Sequence, residues 1–252
     1  MPRLFILFAV CLSIATPAQA QVRVNLLTEE YAPFNYLEDG RLTGIGADMV
    51  RAMSEMLGIP FKARILPWKR AYQQALTDPD TALFSTTRLP TREEDFQWVG
   101  PLFEVQDYLF GNDQFAMEIN NLDEARDVGS ILVQNGGGSH VYLKSLGFQN
   151  LQPYTVTDKQ LVMLTMGRVD LIYLSDLSAY YQLRINGMAS DKIKPVFRLK
   201  KAELYLVFAK TADPQIVASW QDAFEQVRAT GRREQIIRRY LPRASADASG
   251  SY

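Results

Sequence analysis

Residues 84–103 read FSTTRLPTREEDFQWVGPLF. The run TALFSTT (81–87) is apolar and rich in β-formers, so it reads as a buried strand. Its carboxyl end carries Ser85, Thr86 and Thr87, followed by Arg88 and Arg92 in a loop opened by Pro90. From Trp98 to Asn112 the chain is apolar and extended, and Gly100-Pro101 breaks any helix. Upstream, VRVNLLT (22–28) and FKARILP (61–67) read as strands, with Asp39-Gly40 as a turn between them. GADMVRAMSEMLG sets Met49, Val50, Met53, Met56 and Leu57 on one helical face closed by Gly58, and WKRAYQQAL (68–76) is a short helix. Strand, helix, strand, helix, strand predicts a parallel sheet with crossover helices.

A second unit follows. VGSILVQ (128–134) reads as a strand, then come a Gly-rich turn, a helix over 139–146, a short strand near 155–156 and a helix capped by Asp158. VDLIYLS (169–175) and LYLVFAK (204–210) read as strands flanking a helical DLSAYYQLRINGM. The last helices carry Trp220, Phe224 and Val227, then Ile236, Ile237 and Tyr240, parted by Gly231. The expected fold is α/β with two lobes, 21–107 plus 201–242 and 108–200, joined by two crossing segments. A ligand cleft is expected between them at the carboxyl ends of the strands.

The first 20 residues combine Arg3, an apolar run over 4–15 and Ala18-Gln19-Ala20, the pattern of a secretory signal peptide cleaved after Ala20. Its apolar run is too short to span a bilayer. Cys11, the single cysteine, falls within it, so the mature chain has no thiol for disulfides or catalysis. A periplasmic location is expected. The tail 243–252 lacks apolar content and is expected to be disordered. The formal charge of −1 gives no attraction to nucleic acid or acidic membrane. The lone His140 cannot build a zinc site or serve a Ser-His-Asp triad with any redundancy.

Ser85 and Thr87 at a strand end, with Arg92 nearby, suit a carboxylate, because guanidinium offers a planar fork of donors and hydroxyls complete the shell. The alternative is that Arg92 pairs with Glu93, Glu94 or Asp95 on a solvated helix start. Arg88 has a weaker claim to a ligand. The turn QNGGGSH (134–140) presents N–H groups at a helix start, or is a plain tight turn; it is neither a P-loop nor a dinucleotide fingerprint, and no cofactor is expected. Tyr31, Phe34 and Trp68 follow strands where loops face a cleft, with local packing the stronger reading for Phe34. Asp176 ends a second-unit strand and suits a ligand ammonium, a helix N-cap, or both.

With these segments in place the chain resembles the periplasmic solute-binding proteins of polar amino acid transporters, family 3 of the bacterial extracellular binding proteins. The resemblance rests on YAPFNYLEDGRLTGIGADMVRAMSEMLG, LPWKRAYQQAL, the 84–103 segment, GRVDLIYLSD and the long run from LYLVFAK to RRYL. It implies ligand contacts from Tyr31, Trp68, Ser85, Thr87 and Arg92 in the first lobe. In the second lobe it implies Gly138, Ser139 and Asp176, the acid for an α-amino group. GGGS stands where a threonine pair is common, and GRVDLIYLSD is one residue longer before the acid than in many members. The implied role is non-enzymatic: a monomer that captures a small carboxylate-bearing ligand, above all an amino acid, for the membrane permease of an ABC importer. Two alternatives share the fold, a dehydratase of cyclic carboxylic acids and a ligand-sensing module of a membrane receptor.

Overall fold

The computed structural model describes residues 24–155 and 159–241. The expected signal peptide, the Asp158 cap, Val156 and the tail lie outside the described residues. The first unit runs β1 (Asn25–Thr28), β2 (Tyr36–Glu38), β3 (Arg41–Thr43), α1 (Ile45–Met56), β4 (Ala63–Ile65), α2 (Trp68–Thr77) and β5 (Thr81–Thr87). A 3-10 turn, Pro90–Asp95, leads into the 17-residue β6 (Phe96–Asn112). Next come α3 (Leu122–Arg126), β7 (Ile131–Gln134), α4 (Gly138–Ser145), β8 (Leu151–Tyr154), α5 (Gln160–Thr165), β9 (Leu171–Ser175) and α6 (Asp176–Ile185). The chain returns along β10 (Ile193–Ala209) to α7 (Pro214–Ala229) and α8 (Arg232–Tyr240).

One eight-stranded sheet has the order β4-β1-β5-β10-β6-β9-β7-β8. The two ends are parallel, as the strand-helix alternation predicts, but β10 and β6 run antiparallel to each other and to their outer neighbours. The expectation of a parallel sheet therefore holds only at the ends. Two further corrections concern strands. The last strand starts at Ile193 rather than 204, because pairing with β6 recruits KPVFRLKKAE, whose lysines and Pro195 hide its β character. The short strand expected near 155–156 lies at Leu151–Tyr154 on the sheet edge, where Pro153 is tolerated.

Both faces of the sheet are covered, which is why its strands read as continuous apolar runs. Successive side chains point to opposite faces. Leu26, Phe84, Leu206 and Phe208 therefore join α1 and α7 in one core around Trp220, Phe224 and Phe103. Leu27, Leu83 and Val207 meet α2 in another. In the second unit Ile131, Val133 and Leu171 pack with Leu143 and Phe148, while Leu132, Ile172 and Leu174 pack with Leu161 and Leu164.

The ladders around β10 break where it matters. Tyr205 pairs with Thr86 and Leu206 with Phe84, so Ser85 is the extra residue of a bulge, and its φ is 61°. A second break separates Arg198, paired with Tyr108, from Lys201, paired with Gln106. Lys200 and Asp107 lie within it. Bulges release a residue from the ladder and re-aim its side chain. Left-handed backbone costs a residue bearing a Cβ about 1–2 kcal/mol, offset in part by the chain entropy glycine loses. Ser85→Gly should therefore be more stable than Ser85→Ala by about 1 kcal/mol in urea unfolding, both lacking the hydroxyl. Equal midpoints would contradict a strained Ser85.

Candidate functional site

The carboxyl ends of β1, β5, β7 and β9 converge on a cavity of about 50 Å³. Its lining unites Tyr31, Trp68, Ser85, Thr87, Arg92, Gly138 and Ser139, seven of the eight residues expected from sequence. A cavity this small admits only a few water-sized groups, each needing roughly 10–15 Å³. The walls come from both halves of the sheet and touch each other, so the cleft is closed.

Arg92 sits in the 3-10 turn with only 3% of its surface exposed. Of the three acids that follow it, Glu93 forms a two-pronged pair with Arg88, Glu94 lies 4.0 Å from Lys210 and Asp95 accepts from the Tyr72 hydroxyl at 3.0 Å. Arg92 makes no ion pair among the described residues. Its guanidinium donates to the carbonyls of Thr87 and Gly136, each at 3.3 Å, and lies 5.1 Å from the ring centres of both Trp68 and Tyr72. Burial lowers its pKa, opposed by Tyr72, Glu29 and Asp95.

Two glycines, Gly136 and Gly138, shape the facing wall. Gly136 has φ 74°, and its carbonyl accepts from Arg92 and, at 2.7 Å, from the Trp68 indole N–H. Its own N–H donates to His140 Nδ1 at 3.1 Å. A Cβ on Gly138 would stand 3.0 Å from Thr87 Oγ1, so any other residue at the start of α4 would have to shift Thr87 by a few tenths of an ångström. Ser139 Oγ accepts from the Gln134 N–H at 3.3 Å. Ser85 Oγ donates to Asn35 Oδ1 at 2.6 Å. Tyr31 packs edge-on against Phe34, 4.7 Å between centroids, and Phe34 is fully buried against Phe103, so its role is packing.

Asp176 departs from expectation. It is exposed, lies outside the cavity lining, and bonds the N–H of Leu177 at 2.8 Å. The N-cap of α6 is Ser175, whose hydroxyl accepts from the Ser178 N–H. The acids that do line the cavity are Glu29 and Asp107, which the sequence reading missed along with Gln134, Tyr154, Tyr173 and Lys200. Glu29 directly follows β1, the same position class that singled out Tyr31. Asp107 is the one acid in the apolar run VQDYLFG, an available signal that went unread.

Burial raises Glu29 to about 8, against lowering by a hydrogen bond from the Gln134 amide and by Arg92. Burial likewise raises Asp107 to about 6, opposed by the Tyr173 hydroxyl, which donates to it at 2.6 Å, and by Lys200. Lys200 is lowered by its own burial and stands 4.3 Å over the Tyr142 ring. At pH 7 the cavity thus holds the Arg92 cation, an ionised Asp107 and a protonated Glu29.

The closed fold binds more protons than the unfolded chain between about pH 4.5 and 8, because Glu29 keeps its proton when buried and loses it when exposed. Stability should fall with rising pH across that window. Thermal unfolding of the wild type beside Glu29→Gln checks this: the wild-type midpoint should drop relative to the variant from pH 5 to 8 and then level off. Parallel curves would contradict a buried, protonated Glu29.

Comparison with known proteins places this geometry. The model of the bacterial extracellular solute-binding proteins, family 3, matches residues 24–243. A probable histidine-binding protein of Neisseria gonorrhoeae is 23% identical over 225 residues, covering 87% of this chain and 83% of that protein. Among solved structures, a histidine kinase sensor domain with similarity to periplasmic binding proteins superposes with a TM-score of 0.78 at 19% identity, over 87% of this chain and 96% of that one. The arginine-, lysine-, histidine-binding protein ArtJ of Geobacillus stearothermophilus superposes with a TM-score of 0.76 at 17% identity, over 89% and 97%. These likenesses establish the periplasmic-binding-protein fold. A family match across the whole described chain makes the conclusion plain: this protein belongs to family 3 of the bacterial extracellular solute-binding proteins.

Proposed function

We propose that the protein captures an amino acid, or a closely related small carboxylate, between two lobes (21–107 plus 201–242, and 108–200) and delivers it to the permease of an ABC importer. The observation that carries this is Arg92: a buried guanidinium in a closed cleft, without a carboxylate partner among the described residues. Its free donor capacity, the Thr87 hydroxyl and the N–H groups of Gly138 and Ser139 at the start of α4 form a receptor for one carboxylate, which the Ser85 hydroxyl joins by turning its proton away from Asn35 Oδ1. Asp107, held by Tyr173, takes the ammonium in place of Asp176.

Closure follows from contacts on both sides. Trp68 and Arg92 from one half both reach the Gly136 carbonyl of the other, and Ser178 Oγ donates to the Ala32 carbonyl at 3.3 Å. A ligand that touches both halves shifts the population toward this closed form, whose outer surface the permease reads. No helix among the described residues is long and apolar enough to cross a membrane. Periplasmic export through the 1–20 signal peptide and action as a monomer complete the proposal.

One observation favours a second reading, a dehydratase on the same fold. The protonated Glu29 beside the cavity has the state a general acid needs near pH 7. Loss of water from a bound cyclic hydroxy acid, abolished by Glu29→Gln, would establish that reading.

Thermal unfolding of ligand-stripped protein against the common amino acids tests the first. A ligand at 100 times its Kd should stabilise by about 2.7 kcal/mol, worth several degrees. Arg92→Ala should weaken that ligand by about 100-fold or more, the effect of breaking a buried pair. A response that survives Arg92→Ala intact would sink the carboxylate role.

A further inference from the structure

The inner cavity does not end at Glu29. A groove of about 760 Å³ lies beyond it and shares Glu29, Trp68, Gln134 and Tyr154 with the cavity. It is some fifteen times larger in the same measure and falls within the range of ordinary small-molecule sites. Ile65, Leu66 and Pro67, with the rings of Trp68 and Tyr154, make most of its wall apolar. The boundary is polar by contrast. There the Gln134 side-chain amide donates to the Glu29 carboxyl, bridging the two halves.

We propose that the ligand is longer than a plain amino acid: a carboxylate head in the inner cavity, a hydrogen-bonding linkage between Glu29 and Gln134, and an apolar or aromatic arm in the outer groove. This deepens the amino-acid reading and rests on it. The inner chamber has room for a head group and little else, and this boundary leads from it into the larger groove. An amide or carbamate crossing there exchanges the Glu29–Gln134 bond for two of its own. The Gln134 N–H donates to the C=O of the linkage and a Glu29 carboxyl oxygen accepts from its N–H, so neither side chain is left unpaired. Past the boundary, the half-buried Tyr154 ring and the apolar Ile65, Leu66 and Pro67 offer an aromatic arm a packing surface.

The test is calorimetric titration of the full ligand-stripped protein with alanine, glutamine, glutamine benzylated on its side-chain amide, and Nε-benzoyl-lysine. At least one of the two arm-bearing compounds should bind at least tenfold more tightly than glutamine. Arg70→Trp and Thr155→Trp, two exposed rim positions that partly fill the groove, should each cancel that gain and leave alanine affinity within twofold. If alanine or glutamine binds while both arm-bearing compounds bind no better or are rejected, the extended-ligand inference is overturned and the amino-acid reading stands. If none of the four binds, that reading falls and the inference with it.

Discussion

A guanidinium cannot shed its charge at physiological pH, so burying one obliges the surrounding fold to supply compensation. Arg92 imposes that constraint here. Two carbonyls at 3.3 Å and the faces of two aromatic rings at 5.1 Å meet it only in part. The Gly136 carbonyl, which also accepts from the Trp68 indole, reaches this shell from the other half and so depends on the cleft being shut. The same contacts that shelter the arginine therefore hold the halves together, and a ligand carboxylate would complete what they leave unfinished.

The sheet is built to present these groups. Its parallel ends direct strand termini and a helix start toward one point, while the antiparallel ribbon of β6 and β10 lets two segments cross between the halves. Interruptions in the ladders on the two sides of β10 give the site some of its polar atoms. Ser85 leaves the ladder at φ 61°, and the break opposite Asp107 frees Lys200. Regular pairing would have buried these side chains in the layers or left them on the surface. Gly138 contributes by absence, since a Cβ there would crowd Thr87 Oγ1 at 3.0 Å.

The sequence shows the scaffold well because its strands and helices are periodic and covered on both faces. It shows β10 poorly: lysines at 194, 200 and 201 read as surface loop until β6 is known to pair with them. Arg92 and its hydroxyl neighbours are readable as a cluster because they adjoin in the chain. Glu29, Asp107 and Lys200 come from three separated segments and meet only through topology. Asp176 illustrates the converse. It occupies the expected chain position, but α6 begins one residue earlier in effect, with Ser175 as cap, and the acid turns outward. A one-residue difference at a strand end decides whether a side chain faces the cleft.

The most direct test of the account is whether the ligand's carboxylate is what the closed cleft recognises. Calorimetric titration should compare the tightest-binding amino acid with its own carboxamide, which keeps shape and ammonium but removes the negative charge. The account predicts that the amide binds at least 100-fold more weakly. Equal affinities would mean that Arg92 is buried for another reason.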